Sequence, residues 1–240
     1  MSSSSEHVII VGGSAGIGLA TARLLLAEGA RVTITGRSDE RLGAARRALA
    51  GEVSTACFDA ADPHKAEIFF AGLGSFDHLV LSFGSGRGLG PFRGLDLADV
   101  RRGFDEKVWP HLHCAQYAAR SIRKDGSLTF ISAVSAEAGF PGTAGLAAAN
   151  GVLTTLTPLL AAELKPLRVN AVCPGVIDTA WWDFLPAEQR RAVFADYAGR
   201  TPVGRIGAPE DVARAVTFLI ADTFVTGQVL TCDGGVSLAA

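Results

Sequence analysis

His7-Val8-Ile9-Ile10-Val11-Gly12-Gly13-Ser14-Ala15-Gly16-Ile17-Gly18 decides the fold of this chain. Val8 to Val11 is an unbroken apolar, β-branched run and reads as a strand buried on both faces. The glycines mark a tight turn, and Gly18 to Glu28 has helical character. A strand that passes through a glycine turn into a helix points free backbone N–H groups at an anion, and the helix dipole adds to the attraction. Gly12, Gly16 and Gly18 are spaced G-x-x-x-G-x-G, so the turn is expected to hold a dinucleotide, with Ser14, Ala15 and Ile17 beside the phosphates.

Beyond this turn the same rhythm repeats. Val8 to Val11, Arg31 to Thr35, Val53 to Phe58, His78 to Ser82, Leu128 to Ile131, Arg168 to Val172 and Gln228 to Thr231 supply seven candidate strands. Helical segments are expected at Gly18 to Glu28, Asp39 to Leu49, Pro63 to Ala71, Asp96 to Ile122, Gly145 to Leu164 and Pro209 to Ala221. Strands alternating with helices predict an α/β fold, a Rossmann-like doubly wound sheet of about seven parallel strands with helices on both faces. No repeat or linker divides residues 1–240, so one domain is expected. Residues 178–202 are aromatic-rich and follow a strand end, where ligands bind in open α/β sheets; they are a candidate substrate lid.

The 240 residues are 48% hydrophobic, ample for a large core. A net charge of -2 gives no electrostatic reason to expect nucleic acid or an anionic membrane as partner. Cys57, Cys114, Cys173 and Cys232 are scattered, form no C-x-x-C pair and suit reduced thiols in a cytoplasm, with no metal site. Residues 1–6 read as a frayed end without the features of a signal peptide. Later apolar stretches look too short or too interrupted to cross a bilayer, so a cytoplasmic protein is expected.

Further segments carry a resemblance. Val11-Gly12-Gly13-Ser14-Ala15-Gly16-Ile17-Gly18, Asn170-Ala171-Val172-Cys173-Pro174-Gly175-Val176-Ile177-Asp178-Thr179, Pro202-Val203-Gly204-Arg205-Ile206-Gly207 with Pro209-Glu210-Asp211-Val212, and Val225-Thr226-Gly227-Gln228 with Asp233-Gly234-Gly235 resemble motifs of the short-chain dehydrogenase/reductase family over nearly the whole chain. The resemblance implies a nicotinamide cofactor, a small-molecule substrate and a homodimer or homotetramer built on the long helices around 104–122 and 145–164 and on the C-terminal strand. It also implies that Pro174, Gly175, Ile177 and Thr179 lie beside the nicotinamide amide.

At the end of the second strand an NAD-selective relative would carry an acidic residue, and this chain has Gly36 followed by Arg37. The planar guanidinium of Arg37 suits a 2′-phosphate, so the expected cofactor is NADP(H), although Arg41 could share or replace it. Asp59-Ala60 matches the family's pair beside the adenine, or Asp59 caps the helix before Pro63. Leu81-Ser82-Phe83-Gly84 stands where the family has N-N-A-G; Gly84 still permits close approach, and Phe83 narrows the cleft.

The family reduces carbonyls with a tyrosine proton donor, a lysine that lowers its pKa and a serine that orients substrate. Matched by motif, those positions hold Leu146, Asn150 and Ala133, and the family's asparagine on the preceding helix falls on Lys107. Lys107 therefore either takes over part of the lysine's work, by binding the nicotinamide ribose, orienting water or donating a proton with a pKa lowered by desolvation, or is a surface lysine. Ser132 and Ser135 flank Ala133; either contacts substrate or caps the turn, and Ser135 is favoured if the strand continues to it. Pro110 is expected to kink the helix and free the Glu106 carbonyl, while His111 and Cys114 share a helical face with Lys107. His111 is either a proton carrier or a structural histidine. Tyr197, with Trp181, Trp182, Phe184 and Phe194, either wraps an apolar substrate or packs as core.

Three functions fit these residues. The first is an NADP(H)-dependent oxidoreductase with a rearranged site acting on a small apolar carbonyl, alcohol or imine, the last because it needs no proton donor. The second is an inactive NADP(H)-binding regulatory protein. The third is a non-redox isomerase or cyclase.

Overall fold

The computed structural model describes residues 6–239. Its strands are β1 (His7–Val11), β2 (Arg31–Gly36), β3 (Val53–Cys57), β4 (Phe76–Leu81), β5 (Ile122–Ile131), β6 (Arg168–Pro174) and β7 (Val229–Cys232). They form one sheet in the order β3-β2-β1-β4-β5-β6-β7, with every pairing parallel. The order reverses between β1 and β4, and that switch leaves a crevice at their carboxyl ends.

Successive side chains on β1 serve opposite faces. Val8 and Ile10 join one apolar cluster with Leu25 of α1 (Gly16–Ala27), Leu42 of α2 (Asp39–Ala48) and Val212 and Val216 of the last long helix. Ile9 and Val11 join the other with Phe70 of α3 (Pro63–Gly72), Phe76, Phe130 and Leu153. Full burial on both faces is why β1 reads as a continuous apolar run rather than an alternating one.

Three expectations need correction. The helix expected over Asp96 to Ile122 is three segments, α4 (Leu97–Gly103), a π-helical turn (Phe104–Val108) and α5 (Trp109–Ala118), and Ile122 already begins β5. Register between β4 and β5 shifts between Phe76 and His78, which lets the longer strand pair around the irregularity. The candidate lid, which was not among the expected helices, contains a short 3₁₀ turn (Ala180–Phe184) and α7 (Ala187–Arg200). Finally, α6 (Ala144–Glu163) is long and apolar enough by length and composition to cross a membrane, its leucines, valine and alanines outweighing its threonines. In the fold it lies against β6 and buries Leu153 and Thr157. α8 (Pro209–Ala221) completes the helices.

Of the segment expected to fray, residues 1–5 lie outside the described residues. Glu6 is placed, its carbonyl accepting the Arg31 N–H.

Candidate active site

The crevice at the β1–β4 switch is a cleft of about 960 Å³. All the residues expected at the cofactor line it, namely Gly12, Ser14, Ala15, Gly16, Ile17, Arg37, Asp59, Ala60, Phe83, Gly84, Pro174, Gly175, Ile177 and Thr179, except Gly18. Gly18 works beneath the turn, where a Cβ would overlap the Gly12 carbonyl. Gly12 has φ +85 and a Cβ on it would overlap the Ser82 carbonyl at the end of β4. Gly16, at φ +52, faces the Thr179 methyl, whose distance from an added Cβ would be 3.3 Å. At the start of α1, Ala15 supplies no side-chain cap and the first turn holds no acidic residue. The orphan N–H groups there are free for an anion. Gly175 meets another demand, since its added Cβ would lie 2.7 Å from Asp233 Cβ.

Arg37 and Arg41 are exposed at one end of the cleft beside Ser14 and Ser38, and neither forms an ion pair among the described residues. Asp62, not Asp59, caps α3, accepting from His64 N and Lys65 N. Asp59 instead accepts from Ala61 N at 3.0 Å in a local turn on the cleft wall.

At the other end, Ala133, Leu146 and Asn150 line the cleft with Lys107, Ser132 and Ser135. Lys107 is 4% exposed, so the surface-lysine alternative fails. Its Nζ donates to Asn150 Oδ1 at 2.5 Å and to the Ser132 carbonyl at 3.4 Å, with no carboxylate partner among the described residues. Burial lowers its pKa to about 8, against a smaller opposing influence of Cys173. Asn150 is the hub. Its carbonyl accepts from Ser132 Oγ at 3.0 Å, and its Nδ2 donates to Ser135 Oγ at 3.2 Å and to the Leu146 carbonyl at 3.0 Å. The strand does not continue to Ser135, which sits in a 3₁₀ turn (Val134–Ala136), but that turn still delivers it to the cleft.

Pro110 acts through a π turn rather than a simple kink. Trp109 N–H reaches back five residues to the Phe104 carbonyl, and the added residue rotates Lys107 into the cleft. The Lys107 carbonyl accepts from His111 Nδ1 at 2.7 Å, which fixes the proton on that nitrogen. His111 is fully buried, stacks on Phe83 with centroids 4.0 Å apart and does not line the cleft. Burial, helped by the Lys107 charge, lowers its pKa to about 3. It is a structural histidine, and Cys114 is inert, its thiol raised by burial to about 12.

A stability prediction follows from His111. Its native pKa lies below the unfolded value of about 6.5, so the unfolded chain binds the extra proton and stability falls as pH drops from 6.5 toward 3. Burial shifts His7 and His78 the same way. Thermal melts from pH 7 to pH 5 should show a falling midpoint, which His111→Asn makes shallower; an identical slope in the variant would contradict this role.

The remaining wall is apolar. Phe140, Leu146, Trp181, Trp182, Phe184, Val193 and Tyr197 all face the cleft. Trp181 and Trp182 meet edge to face at 4.8 Å, Trp182 meets Phe194 at 5.5 Å, and Tyr197 lies 6.4 Å from Phe140. Tyr197 is therefore part of a pocket wall and not of the core.

A family model described as enoyl-(acyl carrier protein) reductase matches residues 11–237. The chain belongs to the short-chain dehydrogenase/reductase family. It is 35% identical to cis-4-hydroxycyclohexanecarboxylate dehydrogenase of Sinomonas cyclohexanicum, covering 96% of each chain. Among solved structures it resembles a small-chain dehydrogenase in complex with NADPH, with TM-score 0.86, 29% identity and coverage of 98% of this chain and 100% of that one. It also resembles the MalC reductase/Diels-Alderase from Malbranchea aurantiaca, with TM-score 0.88, 26% identity and coverage of 98% and 96%.

In this short-chain dehydrogenase/reductase the sequence reading missed the hub role of Asn150 and the helical nature of α7. The second had a signal: Arg190, Val193, Phe194 and Tyr197 recur at helical spacing after Pro186. The first had none, because the hub joins residues 107, 132, 135 and 150 from four separate segments.

Proposed function

We propose that this short-chain dehydrogenase/reductase is an NADP(H)-dependent oxidoreductase that interconverts a small apolar carbonyl compound and its alcohol at a rearranged site centred on Lys107. The observation that carries the reading is a buried ammonium in the cleft, held by Asn150 Oδ1 and the Ser132 carbonyl without a carboxylate. Relative to the arrangement implied by motif, lysine and asparagine have exchanged helices and still touch. A carbonyl oxygen gains negative charge as its carbon is reduced, and a cation with a transferable proton stabilises that charge. An iminium carries the opposite charge at the same place, so Lys107 favours carbonyls over imines. The carboxylates nearest this end are engaged elsewhere: Glu106 accepts from Ser85 and Arg87, and Asp183 from Arg190.

The turn, the uncapped start of α1 and the loop from Pro174 to Thr179 fit a nicotinamide dinucleotide, which when bound supplies or accepts the hydride. Lys107 holds the proton for the substrate oxygen at Nζ, and the amine left behind recovers a proton from water. Asn150 and Ser132 aim Nζ, Ser135 offers a hydroxyl beside it, and the aromatic wall excludes water. Leu97, Trp109 and Leu159 stand exposed on the outer faces of α4, α5 and α6, in keeping with a homo-oligomer.

NADP(H) is favoured over NAD(H) by the two unpaired arginines and by the absence of a carboxylate at Gly36. Losing one charge-assisted contact of ~1.5–3 kcal/mol weakens binding roughly ten- to a hundred-fold. Calorimetric titration should show that loss for NADPH in Arg37→Ala with little change for NADH. An unchanged NADPH affinity would assign Arg37 to the solvated surface, and an equal loss for both cofactors would place it against a group they share.

A non-redox cyclase is the second reading, favoured by the apolar wall and by the likeness to a reductase/Diels-Alderase. It predicts product formation without net nicotinamide oxidation.

A further inference from the structure

α7 carries Val193 and Tyr197 to the cleft, yet none of its side chains is fully buried and Pro186 gives its start no side-chain cap. A helix with so little burial belongs to the low end of local stability, where a few tethers decide its position. One side chain supplies most of the tethering. Arg190, in the first half of the helix, reaches back out of it to pair with Asp178, to donate to the Thr179 carbonyl at 3.3 Å and to pair with Asp183 at 2.8 Å. Its guanidinium also lies 5.2 Å over the Phe194 ring. A cation near a helix N-terminus opposes the helix dipole, so this arginine does not serve α7 as a helix.

The loop that Arg190 grips is the one facing the glycine turn. The Thr179 methyl lies against Gly16, Thr179 Oγ caps the 3₁₀ turn by accepting from Trp181 N, and the Trp182 indole donates to the Ile177 carbonyl at 3.0 Å. Gly16, Thr179, Arg190 and α7 thus form one contiguous chain of contacts from the phosphate turn to the substrate wall.

Resting on the reading of the cleft as a dinucleotide site, we propose that Arg190 is a positioning residue that couples occupation of the dinucleotide arm to the placement of α7, and hence of Val193 and Tyr197. Exposed ion pairs contribute little singly, but a planar fork held by two carboxylates and a carbonyl fixes direction as well as distance. A dinucleotide that settles against Gly16 and Thr179 stills the carbonyl and carboxylate that Arg190 holds, and α7 follows.

Hydrogen exchange of the full chain, with and without NADP+, tests this. In the unsubstituted protein, NADP+ should slow exchange in residues 12–18 and, severalfold, in residues 187–200. In Arg190→Met, protection of 12–18 should remain while that of 187–200 is lost, and Arg190→Lys should restore part of it by reaching one carboxylate. Asp183→Asn, which leaves the arginine in place, should give an intermediate loss. Protection of 187–200 that survives in Arg190→Met, or its absence in the unsubstituted protein despite protection of 12–18, overturns the proposal and leaves the cofactor reading standing. Absence of protection at both segments removes the cofactor reading and the proposal with it.

Discussion

Lys107→Met is expected to lower turnover of carbonyl substrates by ~10²–10⁴-fold, the usual contribution of a positioned general acid, while leaving NADPH affinity nearly unchanged. The direction follows from the geometry: among the described residues Nζ is the one cationic donor at this end of the cleft, and methionine fills its volume without a proton to give. The pH dependence gives a second signature. With the Lys107 pKa lowered to about 8, reduction should decline above pH 8 as the ammonium is lost, and alcohol oxidation should rise across the same range.

Stability supplies a third readout that needs no substrate. The folded pKa of Lys107 lies below its unfolded value of about 10.4, so the native state carries a penalty at neutral pH that is relieved as pH rises from 8 toward 10.4. A shift of this size corresponds to about 3 kcal/mol. Chemical denaturation of the unsubstituted protein should show that rise, and Lys107→Met should lack it. Unchanged turnover in Lys107→Met, with the pH profile intact, would remove the lysine from the chemistry; Lys107→Arg, which keeps charge but cannot release a proton near neutrality, separates electrostatic from proton-donor roles.

Gly12→Ala should abolish dinucleotide binding and lower the thermal midpoint. Two costs add at this position. A non-glycine residue held at φ +85 costs on the order of 1–3 kcal/mol, and the new methyl overlaps the Ser82 carbonyl, so the turn must move away from β4. For a chain of this size, about 2 kcal/mol corresponds to roughly 4–8 °C. Gly29 provides the control, since it has nearly the same dihedral, φ +89, but no atom within 4 Å of an added Cβ. Gly29→Ala should therefore show the backbone cost alone and bind NADPH normally. Normal binding by Gly12→Ala would mean that the turn tolerates displacement and does not grip the phosphates closely.

The seven strands, their parallel arrangement and the glycine turn were legible in the residues because each rests on local rules. An apolar β-branched run of four or five residues makes a buried strand wherever it occurs, and a glycine turn before a helix needs only its immediate neighbours. That the residues proposed for the cofactor, from Gly12 to Thr179, line one cleft was readable for the same reason, with Gly18 displaced to a supporting place by its close approach to Gly12. Asp59 was readable as a cleft residue only with its rival role open, and the backbone at Asp62 settled which aspartate caps α3.

The end of the cleft around Lys107 was decided by contacts that no window of sequence contains. That Lys107 is buried and not on the surface depends on a π turn, whose extra residue rotates it inward, and on Asn150 arriving from a helix more than forty residues away. His111 lies in α5, beyond the π turn that holds Lys107, and is buried in the core, so uniform helical spacing placed it on the wrong face. Ser135 reached the cleft by a 3₁₀ turn and not by strand alternation. Sequence by itself determined the layers of this protein and which residues of the glycine turn reach the cleft at the strand ends, since periodicity and turn chemistry are short-range. The tertiary structure alone decided the protonation, partners and facing of Lys107, because desolvation and hydrogen-bond geometry are properties of the packed assembly.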